Sequence, residues 1–260
     1  MRRTLSGAMG AVVIFCVEMA AAQTTDSFGE AGTFVVSAER LTGLYFDRID
    51  AETNGVQTLQ GMDAEGDTKT SRTTFVFLGN DAELTAAGIP RLALDYFVIP
   101  SLSVGGSLLL TTRSQDDDDN YVRPAADINR TTDTSETTFA IEPRAGYGRM
   151  FTELLGLWAR GGITYASNHV EADVEDVGPG GNITTGSSET TIHHWSLSLD
   201  GMLVLSPVGH FAFAVGPYLD IPITGDIEIR SQYDGNQINR IDGDVSALSF
   251  GLSAGLLGWL

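Results

Sequence analysis

The chain has 260 residues, a formal net charge of −19 and one lysine, Lys69. That acidic balance excludes nucleic acid as a partner, because nothing here would neutralise phosphates. It also departs from an ordinary soluble surface, which mixes Lys and Arg with its acids, and points to a surface that largely avoids water.

The first 22 residues read as a secretory signal. Arg2 and Arg3 form a basic start, an apolar stretch runs through Val12, Val13, Ile14 and Phe15, and Ala20-Ala21-Ala22 offers an A-x-A-like cleavage site. A membrane anchor fits worse, since the stretch is short and Glu18 interrupts it. Cys16, the only cysteine, leaves with the signal, so the expected mature chain from residue 23 has neither disulfides nor thiol chemistry. Cleavage also removes two arginines and one glutamate, which makes the mature chain one unit more acidic.

No later stretch reaches the roughly 18 apolar residues of a spanning helix. Strands must therefore do any spanning, and they must close into a barrel because lipid cannot satisfy a free edge. Eight segments fit that template, at about 33–47, 89–99, 101–113, 137–149, 155–169, 191–205, 210–224 and 245–258. The seventh is the clearest. Phe211, Phe213, Val215, Pro217, Leu219, Ile221 and Ile223 alternate with mostly small residues, so one face is wholly apolar. Similar outward faces are expected at Leu92, Leu94, Tyr96 and Val98, at Leu102, Val104, Leu108 and Leu110, at Ile163, and at Leu248, Phe250, Leu252 and Leu256. Phe139, Tyr165 and Trp195 fall at one end of their strands and Tyr96, Tyr147 and Phe211 at the other, as two interfacial girdles would require.

Connections alternate in length. Short ones fall at Pro100, at 151–154 and at 206–209, and long external loops are expected at about 48–88, 114–136, 170–190 and 225–244. Residues 73–78 also resemble a strand, but a ninth crossing would break the even-number rule, so they are placed in the first external loop as a hairpin arm or rim extension. The fold class is thus an all-β, eight-stranded antiparallel up-and-down transmembrane barrel.

The inward face carries Glu39, Arg91, Asp95, Glu142, Arg144, Arg160, Asp200 and Asp220 among small residues such as Gly105, Gly146, Gly148, Gly162 and Gly216. An eight-stranded interior is just wide enough for side chains to fill, and charges there must be paired. A structural lumen network is expected, with a gated ion path as the rival reading.

Other clusters have weaker claims. His169 and the His193-His194 pair, with Glu171 and Asp173 nearby, have the chemistry of a transition-metal site. Ser196 and Glu189 lie close enough in sequence to His194 for a lipid-modifying hydrolase to be weighed. Interfacial histidines without a site are the preferred reading, and no catalytic, cofactor-binding or metal residues are assigned. Asp116, Asp117, Asp118 and Asp119 form the densest charge on the chain, either a solvated run or a divalent and surface contact.

These two-faced strands, the signal and the terminal apolar strand ending in Trp259-Leu260 resemble the small outer-membrane β-barrel proteins of the OmpA transmembrane-domain, OmpX and Ail type. The resemblance implies a monomer in a Gram-negative outer membrane. Its partners would be membrane lipids and lipopolysaccharide, with the barrel-assembly machinery during biogenesis, and it implies no cofactor. Three roles remain, in order: a structural or surface-interaction protein acting through acidic external loops, a narrow ion or solute channel, and a membrane-embedded hydrolase using His194 and Ser196.

Overall fold

The computed structural model describes residues 27–59, 62–77, 89–123, 126–177, 183–233 and 237–260. The expected signal segment and Cys16 lie outside the described residues. Among the described residues nine strands run in chain order: β1 (Phe34–Leu59), β2 (Met62–Phe77), β3 (Arg91–Ile99), β4 (Leu102–Arg123), β5 (Ala126–Met150), β6 (Leu155–Val177), β7 (Ile183–Val208), β8 (Phe211–Tyr233) and β9 (Gln237–Trp259). All pairings are antiparallel, and β1 meets β9, so β1 and β3 to β9 close an eight-stranded ring.

β2 stands outside that count. Among the described residues it pairs only with β1, from Leu44↔Phe77 to Leu59↔Met62, while β3 takes the lower part of the same β1 edge from Phe34 to Glu39. The 73–78 segment is therefore part of a hairpin arm, as the even-number argument requires, and the arm is longer than the sequence suggested. Its last residue, Leu78, lies outside the described residues.

Turns at one end are tight. Pro100-Ser101, 151–154 and Gly209-His210 join successive strands, with Ser101 and His210 in the left-handed region at φ 68° and 64°. At the other end the expected irregular loops are replaced by strand. β4 and β5 stay in register out to Arg123↔Ala126, β6 and β7 to Val177↔Ile183, and β8 and β9 to Tyr233↔Gln237. The polar stretches there are rich in threonine and alternate in character, which suits a pleated ladder better than turn chemistry. The barrel thus continues upward as a β-collar.

The outer face around the lower half is apolar. Leu92, Leu94, Leu102, Val104, Leu108, Leu110, Ile163, Leu197, Leu199, Phe213, Val215, Ile221, Ile223, Phe250, Leu252 and Leu256 all present their side chains to the exterior. Aromatic pairs mark its two margins: Phe34 with Tyr96 at 4.6 Å between ring centres below, and Phe46 with Phe250 at 4.6 Å and Tyr165 with Trp195 at 4.9 Å above. A closed ring with a continuous greasy belt and aromatic margins is the architecture of an outer-membrane β-barrel.

Candidate functional site

The lumen is filled in layers. At the lower end the chain enters through a turn at Ser27–Thr33 that folds under the barrel. Its backbone is tied in by Gly32 N–H to the Phe97 carbonyl, by Ser101 N–H to the Gly29 carbonyl, and by Phe34 and Leu260, which exchange bonds at 3.0 and 2.9 Å. Gly29 and Gly32 adopt φ of 94° and 95°, which only glycine takes without strain. This turn drives Phe28 into the barrel. Its ring meets Phe97, Trp158 and Trp259 edge-on at 5.3, 5.4 and 5.7 Å, with Val35, Met202, Val204 and Leu257 around them. The sequence reading missed Phe28; the glycines flanking its turn were the available signal.

Above this aromatic plug lies the ionic layer. All eight expected lumen residues are there, buried and facing inward. Arg144 grips Glu39 through both terminal nitrogens at 2.7 Å and Asp95 at 3.0 and 2.5 Å. Arg160 joins Glu39 to Asp200, the latter at 3.2 Å. Arg91 donates to Glu142 at 2.8 Å, and the Ser107 hydroxyl adds a bond to the same oxygen at 3.1 Å. Glycine makes room for these forks: a side chain at Gly162 would sit 2.6 Å from the Pro143 carbonyl oxygen and 2.8 Å from Arg144 Cβ.

One member of the layer was not foreseen. Strand alternation places Arg40 opposite to Glu39, on the lipid face. Between Ala38 and Thr42, however, β1 runs four steps against two of β9, and Arg40 sits in the left-handed region at φ 54°. This bulge turns Arg40 inward, where it is 2% exposed and donates to Asp220 at 2.8 and 3.2 Å. It also approaches Asp200 at 3.8 Å and lies over the Tyr218 ring at 4.4 Å. The carboxylates and guanidinium groups then form one chain of contacts: Asp95, Arg144, Glu39, Arg160, Asp200, Arg40, Asp220. An arginine bound for the lipid face was itself the missed signal, since a charge there is costly.

The other candidates do not assemble. His194 and Ser196 both face inward, two residues apart on β7, and Ser196 is buried; Glu189 lies on the outer face. His193 faces outward, stacked on Tyr165 with its Nδ1 3.0 Å from the tyrosine hydroxyl oxygen. His169 meets Thr191 at 3.0 Å and Glu171 at 3.1 Å higher on the collar. The three histidines thus occupy separate sites, and no group of three metal-ligating side chains forms among the described residues.

Asp116 to Asp119 sit on β4, paired with β5, rather than in a loop. Their backbone register puts Asp116 opposite Asp133, which lies opposite Asp173 on β6. Asp226, Asp244 and Glu52 form a second row, and Glu171 faces Glu189. Like charges directly opposite cost stability, so the outer collar is a repulsive acidic surface. Arg230 and Arg240 relieve it locally, reaching Glu228 at 2.6 and 3.2 Å.

No family description and no curated protein matches this chain. Among solved structures, it is similar to the outer membrane protein OprG of Pseudomonas aeruginosa at 14% identity and a TM-score of 0.37, over 88% of this chain and 96% of that one. It is also similar to Ail of Yersinia pestis, at 14% identity and a TM-score of 0.32 over 87% and 99%. The outer membrane protease OmpT of Escherichia coli gives 10% identity and a TM-score of 0.29 over 91% and 100%. Likeness at this level carries nothing about ligand or activity, and the barrel assignment rests on this chain's own ring and belt.

Proposed function

We propose that this protein is a non-conducting, non-enzymatic outer-membrane barrel that presents its acidic β-collar as a contact surface. The observation that carries the reading is the double closure of the lumen, an aromatic plug beneath a continuous arginine–carboxylate layer. The collar supports the other half: its strands rise past the aromatic margin and expose rows of carboxylates that serve no lumen network. Such a surface repels polyanions and attracts cationic or divalent-bridged partners, with a strength that falls as salt rises. The apolar exterior suits a monomer solvated by membrane lipid and lipopolysaccharide, and the apolar face of β9 suits recognition by the assembly machinery.

Two measurements test it together. In planar bilayers the purified protein gives at most small, infrequent openings; large steady currents would overturn the closed lumen. Cells displaying the protein bind a cationic surface in a Ca²⁺- or Mg²⁺-sensitive way, and Asp116→Asn with Asp117→Asn, Asp118→Asn and Asp119→Asn weakens that binding while heat-modifiable gel mobility is kept. Identical binding by both proteins would leave a purely structural barrel.

A further inference from the structure

The collar's inner wall has the wrong polarity for a water-filled interior. From β6 to β9 it presents Val170, Ile192, Ile227, Ile229, Ile241 and Val245, where bacterial barrels normally place polar groups. Register places these side chains in adjoining rows, with Asn168 opposite Ile192, Ile192 opposite Ile227, and Ile229 opposite Ile241. Ile227, Ile229, Ile241 and Val170 are only half-buried, so the space in front of them is accessible. Leu109, Ala140 and Ala166, packed against Ile89, lie one row lower, and the ionic layer closes the lumen beneath.

The polar side of this cup offers acceptors. Asn168 is 6% exposed; its amide nitrogen donates to Glu136 at 2.8 Å and to Thr138 at 3.0 Å. That leaves its Oδ1 buried and accepting no hydrogen bond from the described residues, beside the Glu136 carboxylate. A buried acceptor without a donor costs stability, and a donor arriving with a ligand recovers it. Arg113, across from Glu136 on β4, gives its hydrogen bond to Gln115 at 3.4 Å.

We propose that the cup formed by Ile192, Ile227, Ile229, Ile241 and Asn168 binds a short aliphatic molecule with a hydrogen-bond-donating cationic head, a primary alkylammonium. The chain packs on the isoleucines, the ammonium group donates to Asn168 Oδ1 and Glu136, and the acidic collar concentrates the cation at the entrance. The proposal rests on the closed lumen above: the ligand is held at the outer face and goes no further.

The test uses protein in lipid nanodiscs with isotope-labelled isoleucine methyls, titrated with hexylammonium at neutral pH. Saturable shifts at Ile192, Ile227 and Ile229, with smaller shifts at Ile99 and Ile163 on the lipid face, are expected. Asn168→Leu weakens binding about tenfold, the scale of one hydrogen bond to a charged group. Ile227→Thr and Ile229→Thr, which keep the strand-forming β-branch, each weaken it several-fold. Shifts that grow linearly on both faces would mean partition into lipid and overturn the site. Hexanoate binding as well as hexylammonium would also overturn it, because Arg113 would then set the head-group preference. A hexylammonium current across planar bilayers with the isoleucine shifts intact would instead refute the closed lumen and leave the cup standing.

Discussion

The lower and upper halves of β8 are built from one alternating pattern and put it to opposite use. From Phe211 to Ile223 the apolar residues face out and the small residues, with Asp220, face in. Above, Ile227 and Ile229 face in, while Asp226, Glu228 and Arg230 face out. The reversal follows the solvent. Outside the lower half is hydrocarbon, which rejects unpaired charge; outside the upper half is water, which rejects exposed isoleucine. A single extra residue makes the switch. Between Ser196 and Trp195 β7 takes one step while β8 takes two, and β8 gains the same extra residue against β9 between Asp220 and Asp226. Such bulges flip every side chain beyond them to the other face.

The largest break in this contrast comes from the ionic layer that separates the halves. Arg144→Ala strands Asp95 in the lumen and takes from Glu39 one of its two arginines, leaving it Arg160. Removing one member of a buried pair costs about 3–5 kcal/mol. The midpoint of urea unfolding from lipid vesicles falls accordingly. An unchanged midpoint would show that water reaches those carboxylates and that the layer is not closed.

A smaller effect tests the switch itself. Deleting Ile223 removes the extra residue of β8 and forces a choice on the upper half. Either Ile227 and Ile229 turn out to water, or the β8–β9 collar ladder unpairs. Exposing two half-buried isoleucines costs about 2 kcal/mol. The collar should therefore become a site of proteolytic nicking while the membrane-embedded barrel keeps its resistance to detergent. Equal resistance of collar and barrel would show that the register is set elsewhere, for example by the β8–β9 connection.

This contrast also explains what the sequence could and could not show. The lipid-facing half was legible because a greasy outer face and paired inner charges leave few arrangements: Glu39, Asp95, Arg144 and Asp220 fall on one parity of their strands. Arg40 and the inward turn of Ile227 and Ile229 were not, for a shared reason. Each depends on a bulge, and a bulge shifts parity without altering composition. Pro222 was the one local hint near the β8 switch, since proline inside a strand often marks an interruption of the ladder. The collar itself was read as loop because its Thr, Ser and Asp composition matches turn chemistry as well as a solvated ladder.

The smallest expected effect lies on the collar's inner face, where Arg130 on β5 meets Asp176 on β6 at 2.6 and 2.7 Å. The hydrogen bonds from Arg130 come first, and its charge adds to them, in holding the Asp176 carboxyl below its usual range; both groups remain open to water. A carboxyl whose folded pKa is lowered contributes stability that is complete above its unfolded pKa, near 4, and is lost as pH falls through the lower folded value. Local opening of the β5–β6 hairpin should therefore be flat from neutral pH to about 5 and rise below about 4. Amide hydrogen exchange at Thr131 and Glu175, opposite one another one step below the pair, reads this directly. Arg130→Gln should remove the acid-dependent part at those amides and leave the exchange of the membrane-embedded strands untouched. A rise that persists in Arg130→Gln would overturn the role of this pair, whereas slower opening in acid would belong to the like-charge rows of the outer face, whose protonation relieves repulsion. The sign of the change therefore separates the inner pair from the outer rows.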